Sequence, residues 1–298
     1  MAAAAAVFTA AGCGSTGMKE AASSAAEGGR IPVAVSFNAM KELTEAVGGD
    51  KVAVKTIIPD GTEPHDFEPK GQDLKTLTEA KVFIYNGRGM ESWAEKAAKA
   101  ANNQQLITVE AAKGTEPIKL SDAEEIEEHG EYDPHVWLSL SGAAKEAENI
   151  RDALIQASPE NQAYFEENYA KFKGKIDELQ TEYDEKFKGA SSHTIVTGHA
   201  AFAYVCRDFG LTQKSVEDVF ATGEPTPARL AELTDFCRAN HVKVVFTEDM
   251  VSPKVSETLA REAGAKAETI FTMEGSENGK SYLERMESNL KEIYEALQ

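Results

Sequence analysis

The segment that decides the fold is residues 158–189, SPENQAYFEENYAKFKGKIDELQTEYDEKFKG. Pro159 suits the first position of a helix, and Ser158 can cap it. From there to Lys188 no other proline occurs, and only Gly174 interrupts the pattern. Apolar residues recur at three- and four-residue steps, the period of a helix with one buried face. These residues are Phe165, Tyr169, Phe172, Ile176, Leu179 and Tyr183. About thirty residues at 1.5 Å each predict a rod of roughly 45 Å.

Short apolar runs alternate with helical patterns on both sides of this rod. Strands are predicted at residues 31–37, 52–58, 82–85 and 105–109, and again at 194–197, 215–220, 242–247 and 267–271. Helices are predicted at residues 40–47, 74–80, 93–101 and 142–157, and again at 201–209, 228–239, 255–263 and 282–297. Strand–helix alternation is typical of parallel sheets in α/β domains. A coiled-coil partner for the rod is the alternative, but one short periodic stretch does not require it.

The sequence therefore predicts an α/β protein of two lobes, each with a mostly parallel sheet flanked by helices, joined by one long rigid helix. The predicted boundaries are residues 1–30 for a signal and tether, 31–158 for an N-terminal lobe, 159–189 for the linking helix and 190–298 for a C-terminal lobe. A length of 298 residues agrees with about two domains.

Composition excludes some classes of protein. Apolar residues make up 42% and charged residues 27% of the chain, so it is not a predominantly disordered protein. Acidic residues number 50 and basic residues 31, giving a formal charge of −19, with no basic stripe. A nucleic-acid partner is therefore not expected. The acidity favours solubility, or a field that attracts cations.

The first thirteen residues are mostly alanine and end at Cys13. This run is too short to span a bilayer, but it is typical of the apolar core of a secretory signal. The four residues 10–13, AAGC, resemble a bacterial lipoprotein cleavage site at which Cys13 is lipidated. Residues 14–30 are rich in Gly, Ser and Ala, as in a flexible tether. We therefore expect an extracytoplasmic protein that Cys13 anchors to the outer face of the cell membrane; a misassigned start is the alternative.

The other two cysteines, Cys206 and Cys237, lie in helix-like stretches, without a CxxC or a Cys–His pair at metal-binding spacing. They could form a disulfide in an extracytoplasmic protein, or be small buried apolar groups. The sequence leaves both alternatives open.

Three of the six histidines have unusual surroundings. His65 lies in GTEPHDFEPK (61–70), a loop stiffened by prolines directly after a predicted strand. His135 follows a proline in DPHVWL (133–138), and His199 lies in TGHAAF (197–202), where a strand ends and a helix begins. Ligands of open α/β sheets bind beyond the carboxyl ends of strands. Together these residues predict a metal site, whereas His193 and His241 look like surface histidines.

His129 lies in an acidic stretch, DAEEIEEHGEYD (122–133), with seven acidic residues and no basic one. The simplest interpretation is a solvated, mobile loop. The functional alternative is weak capture of metal near the mouth of the site.

The sequence resembles the zinc/manganese-type solute-binding proteins of bacterial ABC importers. The resemblance lies in the three histidine motifs, in the acidic stretch before Asp133, in the long central helix and in FTMEG (271–275) near the C-terminus, and it covers nearly all of residues 31–297. It implies a monomeric receptor with a metal between two lobes, which delivers that metal to a membrane permease. The resemblance implies His65, His135 and His199 as ligands, with a carboxylate after the last strand as the fourth.

Two carboxylates compete for that fourth position. Glu248 ends one predicted strand, and Glu274 follows the last one. Glu274 matches the family's ligand position and is followed by Gly275, so it is the predicted ligand. Glu248 would then orient a histidine or cap the next helix.

Three imidazoles and one carboxylate suit tetrahedral Zn²⁺, whereas Mn²⁺ prefers more oxygen ligands. We therefore expect a high-affinity zinc receptor without catalytic activity. A manganese or iron receptor of the same fold is the first alternative. A zinc hydrolase with an open metal position is the second, although no HExxH motif occurs. A surface adhesin, as some members of the family are, is a further alternative that the sequence does not test.

Overall fold

A computed structural model describes Met1 and residues 29–221, 225–248, 252–276 and 279–298. The anchor predicted at Cys13 and nearly all of the predicted tether lie outside these ranges. Within them, every helix is too short or too polar to cross a membrane.

The N-terminal lobe is built on one four-stranded parallel sheet. Its strands are β1 (Ile31–Val35), β2 (Val52–Thr56), β3 (Val82–Tyr85) and β4 (Ile107–Glu110), in the spatial order β2-β1-β3-β4. Its helices are α1 (Asn38–Gly48), α2 (Gly71–Glu79), α3 (Ala94–Ala100), α4 (Ala123–His129) and α5 (Leu140–Ala157). All four residues of β3 are buried, as expected for a central strand covered on both faces.

The predicted linking helix is present. A 3₁₀ turn at Pro159–Asn161 leads into α6 (Gln162–Lys188), which at 27 residues is about 40 Å long. The predicted apolar stripe is buried, apart from a half-buried Tyr169 that lies under the Arg151 guanidinium. The predicted cap is wrong, because the Ser158 hydroxyl donates to the Glu160 carboxylate and does not accept a helix N–H.

The C-terminal lobe contains two parallel strand pairs. The first pair is β5 (Thr194–Thr197) with β6 (Thr212–Ser215), and the second is β7 (Val244–Glu248) with β8 (Lys266–Ile270); β5 and β7 lie beside each other. The helices are α7 (Ala203–Phe209), α8 (Pro227–Ala239), α9 (Lys254–Ala263) and α10 (Tyr282–Ala296). The structure therefore has the predicted two-lobe α/β architecture.

One predicted strand, residues 215–220, is wrong in position. The strand is Thr212–Ser215, and the apolar residues after it, including Val216 and Phe220, are buried in a loop. Because β6 is polar and partly exposed, it carries no apolar alternation. The apolar loop beside it produced the misleading pattern.

Both described cysteines are free and buried, Cys206 in α7 and Cys237 in α8. The structure therefore favours the alternative of small buried apolar groups. Burial raises the pKa of the Cys206 thiol to about 12, which makes it a poor nucleophile.

Candidate metal centre

His65 lies in the loop after β2. This loop begins as an extension of the sheet, since the N–H of Ile57 donates to Val35 and that of Ile58 to Ser36. The N–H of His65 donates to the Glu63 carboxylate at 3.2 Å. The imidazole is 1% exposed, so the chain holds it inside the protein.

His135 is held by the residue two positions before it. The Asp133 carboxylate accepts the backbone N–H of His135 at 2.8 Å, and the same oxygen lies 3.0 Å from the imidazole Nδ1. An Nδ1–H directed at this carboxylate leaves the Nε2 lone pair free to bind a metal. The Asn86 amide donates to the Pro134 carbonyl at 2.9 Å and fixes the loop from the β3 side.

His199 lies in the turn after β5, and Glu248 supports it. Oε1 of Glu248 accepts the N–H of Gly198 at 2.9 Å and that of His199 at 3.3 Å. A Cβ at position 198 would lie 2.0 Å from the Glu248 carboxylate, so this close approach requires glycine. The structure thus places Glu248 behind the His199 backbone.

Glu274 lies after β8 in a buried turn. Its Oε2 accepts the Thr272 hydroxyl at 2.9 Å, and its Oε1 lies 3.8 Å from Nε2 of His65 and 3.8 Å from Nε2 of His135. The residue before it, Met273, has a φ of 58°, in the left-handed region. The turn therefore directs the carboxylate at the histidines.

The structure brings the four predicted site residues together. One ligand atom from each of His65, His135, His199 and Glu274 lies within 4.8 Å of the other three. Nε2 of His199 lies 3.4 Å from Nε2 of His135. Three imidazole nitrogens and one carboxylate oxygen that converge at this separation can surround a single divalent ion. By contrast, His193 and His241 are exposed and lie outside this group.

Burial determines the protonation state of two histidines of the cluster, His65 and His199. It lowers the pKa of His65 well below the usual 6.5, and the neighbouring His135, His199 and His129 add to the shift. Burial and then His135 lower the pKa of His199 in the same way. These two imidazoles are therefore neutral near pH 7, which is the form that binds metal.

The acidic stretch differs from the expected mobile loop. Residues 123–129 form helix α4, and the His129 ring stacks on Phe220 with a centroid separation of 3.9 Å. Phe220 in turn meets the His65 ring edge-on at 5.3 Å. The Glu125 carboxylate accepts the N–H of Val219 at 3.0 Å. The helix therefore closes one side of the site because its own residues pack against the Phe220 loop, and His129 lies one aromatic layer away from the cluster.

Sequence reasoning named Glu248 as a possible support of a histidine, but it missed Asp133 and Phe220. Asp133 stood in the quoted motif, two positions before His135, and that spacing was the available signal. No local sequence pattern indicated a role for Phe220, because its contacts with His65 and His129 join segments far apart in the chain.

Comparison with known proteins agrees with this geometry. The family model of the periplasmic zinc-uptake complex component A, ZnuA, matches residues 33–296. A candidate metal-binding protein of Treponema pallidum (strain Nichols) is 44% identical over 275 residues, covering 90% of this chain and 87% of its own. The high-affinity zinc uptake system protein ZnuA of Bacillus subtilis (strain 168) is 34% identical over 303 residues, covering 96% and 93%.

Comparison with solved structures shows the same similarity. A mutant structure of the laminin-binding adhesin Lmb from Streptococcus agalactiae superposes with a TM-score of 0.83 at 32% identity, covering 90% of this chain and 100% of that one. The family match, the relatives and the shared two-lobe fold agree with one another, and the chain therefore belongs to the ZnuA family of periplasmic zinc-uptake components.

Proposed function

We propose that this protein is an extracytoplasmic receptor that binds one zinc ion with high affinity and delivers it to a membrane ABC permease. The observation that carries the proposal is the convergence of His65, His135, His199 and Glu274 within 4.8 Å in the interior of the protein. Membership of the zinc-uptake family supports the same function.

The donor set favours zinc over manganese or iron. Three nitrogen donors and one oxygen donor match the tetrahedral preference of Zn²⁺, whereas Mn²⁺ sites are richer in oxygen and of higher coordination number. The nearby carboxylates of Asp133 and Glu248 accept N–H groups of His135 and of the Gly198–His199 backbone. They therefore act as supports of the histidines.

Four protein ligands also favour binding over catalysis. A catalytic zinc site keeps one position open for water or substrate, while this cluster offers four side-chain donors. Cobalt substitution separates the two functions. We expect the absorption spectrum of the Co²⁺ protein to be that of a closed four-coordinate site, unchanged by small anions; a spectrum that shifts on anion addition would indicate an open position and favour the hydrolase.

We further propose that the protein is a monomer anchored through a lipid on Cys13. Its N-terminal lobe would span residues 31–158, the linking helix 159–189 and the C-terminal lobe 190–298. Family relatives that are lipoproteins support the anchor. Incorporation of labelled palmitate in wild type, and its loss in Cys13→Ser, tests it. A single species with the mass of one chain, in light scattering of the unlipidated protein that lacks the anchor segment, tests the monomer.

The central experiment is a competition titration of purified metal-free protein with zinc and a chromophoric chelator, with metal content measured by mass spectrometry. We expect one zinc per chain. His65→Ala should lose tight binding, whereas the matched control His193→Ala, an exposed histidine outside the cluster, should retain it. Equal losses in the two variants would contradict the proposed site.

A further inference from the structure

The turn that carries Glu274 follows β8 in the C-terminal lobe, yet side chains of the N-terminal lobe hold its backbone. The Trp137 indole N–H donates to the Thr272 carbonyl at 2.7 Å. The Asn38 amide, at the start of α1, donates to the Gly275 carbonyl at 2.9 Å and approaches that of Met273 at 3.4 Å. A side chain of the N-terminal lobe thus contacts the backbone carbonyls of both residues that flank Glu274.

An ion pair between a buried arginine and a partly buried glutamate reinforces this contact. Arg285 of α10 is fully buried; its Nη1 donates to the Gly275 carbonyl at 2.8 Å and its Nη2 to the Glu42 carboxylate of α1 at 2.5 Å. The Asn38 amide lies 3.0 Å from the same Glu42 oxygen. The Gly275 carbonyl therefore accepts one hydrogen bond from each lobe, from Asn38 and from Arg285. The Glu42 carboxylate accepts a hydrogen bond from each of these two side chains.

The far end of the turn has a third attachment. The N–H of Ser276 donates to the Asp60 carboxylate at 2.7 Å, and the Ser276 hydroxyl contacts the same side chain. Asp60 lies in the loop that carries His65. The Glu274 turn and the His65 loop are therefore bound directly to each other.

The turn itself needs such support. Met273 has a φ of 58°, a conformation that residues with a side chain adopt only at an energetic cost. Strained backbone of this kind persists where surrounding contacts determine it. The contacts of Asn38 with the two carbonyls on either side of Glu274 meet that requirement.

We propose that Asn38, together with Arg285 and Glu42, is a positioning residue that fixes Glu274 against the histidines of the N-terminal lobe. This inference rests on the proposed zinc site. Three of its four donors, His65, His135 and Glu274, then form one preassembled group on the N-terminal lobe. His199, supported from within its own lobe by Glu248, completes the site.

The test compares two asparagines that make the same kind of contact. Asn149 of α5 also bridges two carbonyls two residues apart, donating to Ala111 at 2.7 Å and to Lys113 at 2.8 Å, but within the N-terminal lobe and outside the cluster. Zinc affinity of the full chain is measured by chelator competition. We expect Asn38→Ala to weaken zinc binding by about tenfold or more, the usual effect of losing a support of a ligand. Asn149→Ala should leave the affinity within about twofold of wild type.

A second comparison separates positioning from general destabilisation. If Asn38 acts through Glu274, its substitution should add less than about twofold to the loss in Glu274→Gln, because interacting residues are not additive. The Co²⁺ spectrum should also change in Asn38→Ala and stay unchanged in Asn149→Ala. An additive loss, or equal effects of the two asparagines, would overturn the inference.

Arg285→Lys provides a second variant should Asn38→Ala fail to fold. It keeps a positive charge near Glu42, but loses the planar fork that reaches Glu42 and the Gly275 carbonyl together. We expect a severalfold loss of zinc affinity that again vanishes in the Glu274→Gln background. If wild type does not bind zinc, the proposed function itself fails. If wild type binds zinc and these variants bind equally well, only the positioning inference fails.

Discussion

Replacing Glu274 by glutamine is the sharpest test of the fourth ligand. The substitution keeps the shape of the side chain and its capacity to accept the Thr272 hydroxyl, but removes the negative charge. The lost oxygen lies 3.8 Å from Nε2 of both His65 and His135, in a side chain that is 1% exposed, so no solvent replaces it. We expect zinc binding to weaken at least about a hundredfold, which corresponds to about 2.7 kcal/mol.

Glu248→Gln provides the comparison, because this carboxylate was the rival candidate. It accepts two backbone N–H groups, at 2.9 and 3.3 Å, next to and at His199. Loss of its charge weakens both hydrogen bonds and loosens His199, for which we expect roughly a ten- to hundredfold loss of affinity. Its effect should therefore be the smaller of the two.

The assay is chelator competition at constant pH, with metal-free melting temperatures recorded for each variant. Glu268→Gln is the matched control, since Glu268 is an exposed carboxylate on β8, outside the cluster, and should bind zinc as wild type does. If Glu248→Gln proves clearly worse than Glu274→Gln, the assignment of the fourth ligand is wrong.

Three further predictions follow from the same geometry. Zinc should raise the melting temperature, because at a thousandfold excess over Kd it adds about 4 kcal/mol to the free energy of unfolding; an unchanged melting curve of metal-free protein would contradict the site. Zinc affinity should stay level above about pH 7 and fall below about pH 6. Protons compete for the imidazoles, and burial lowers the pKa of His65 and His199, so the competition begins below their usual 6.5; a steep loss already between about pH 8 and 7 would refute this. His129→Ala should change equilibrium zinc affinity by less than about threefold, because His129 contacts Phe220 and lies outside the cluster; a tenfold loss would make His129 a ligand.

Local patterns were sufficient for most of the fold. The strands Val82–Tyr85 and Thr194–Thr197 match their predicted bounds, and the apolar stripe of the linking helix is the buried face of α6. These elements are either buried on both faces or strongly periodic, so the sequence carries their signal. Strand β6 was misplaced because it is polar and pairs with β5 without an apolar alternation of its own.

The site was predictable only in part, for a related reason. His65, His135 and His199 each stand in a stiff or sharply turning local segment, which the sequence shows. The contacts that orient the fourth donor join Asn38 to residues 235 and 237 positions away. They exist only because the two lobes dock, and no local pattern reports that docking. Helix α4 was taken for a mobile loop because its acidic composition does not reveal the packing of His129 on Phe220.

The most direct test of the metal centre is X-ray absorption at the zinc edge, on protein loaded with one equivalent of zinc. We predict four nitrogen or oxygen neighbours at about 2.0–2.1 Å, with multiple scattering from three imidazoles. Glu274→Gln should alter the single non-imidazole neighbour and leave the imidazole scattering in place. Fewer than three imidazoles, a sulfur neighbour, or five or six neighbours in wild type would contradict a site made of His65, His135, His199 and Glu274.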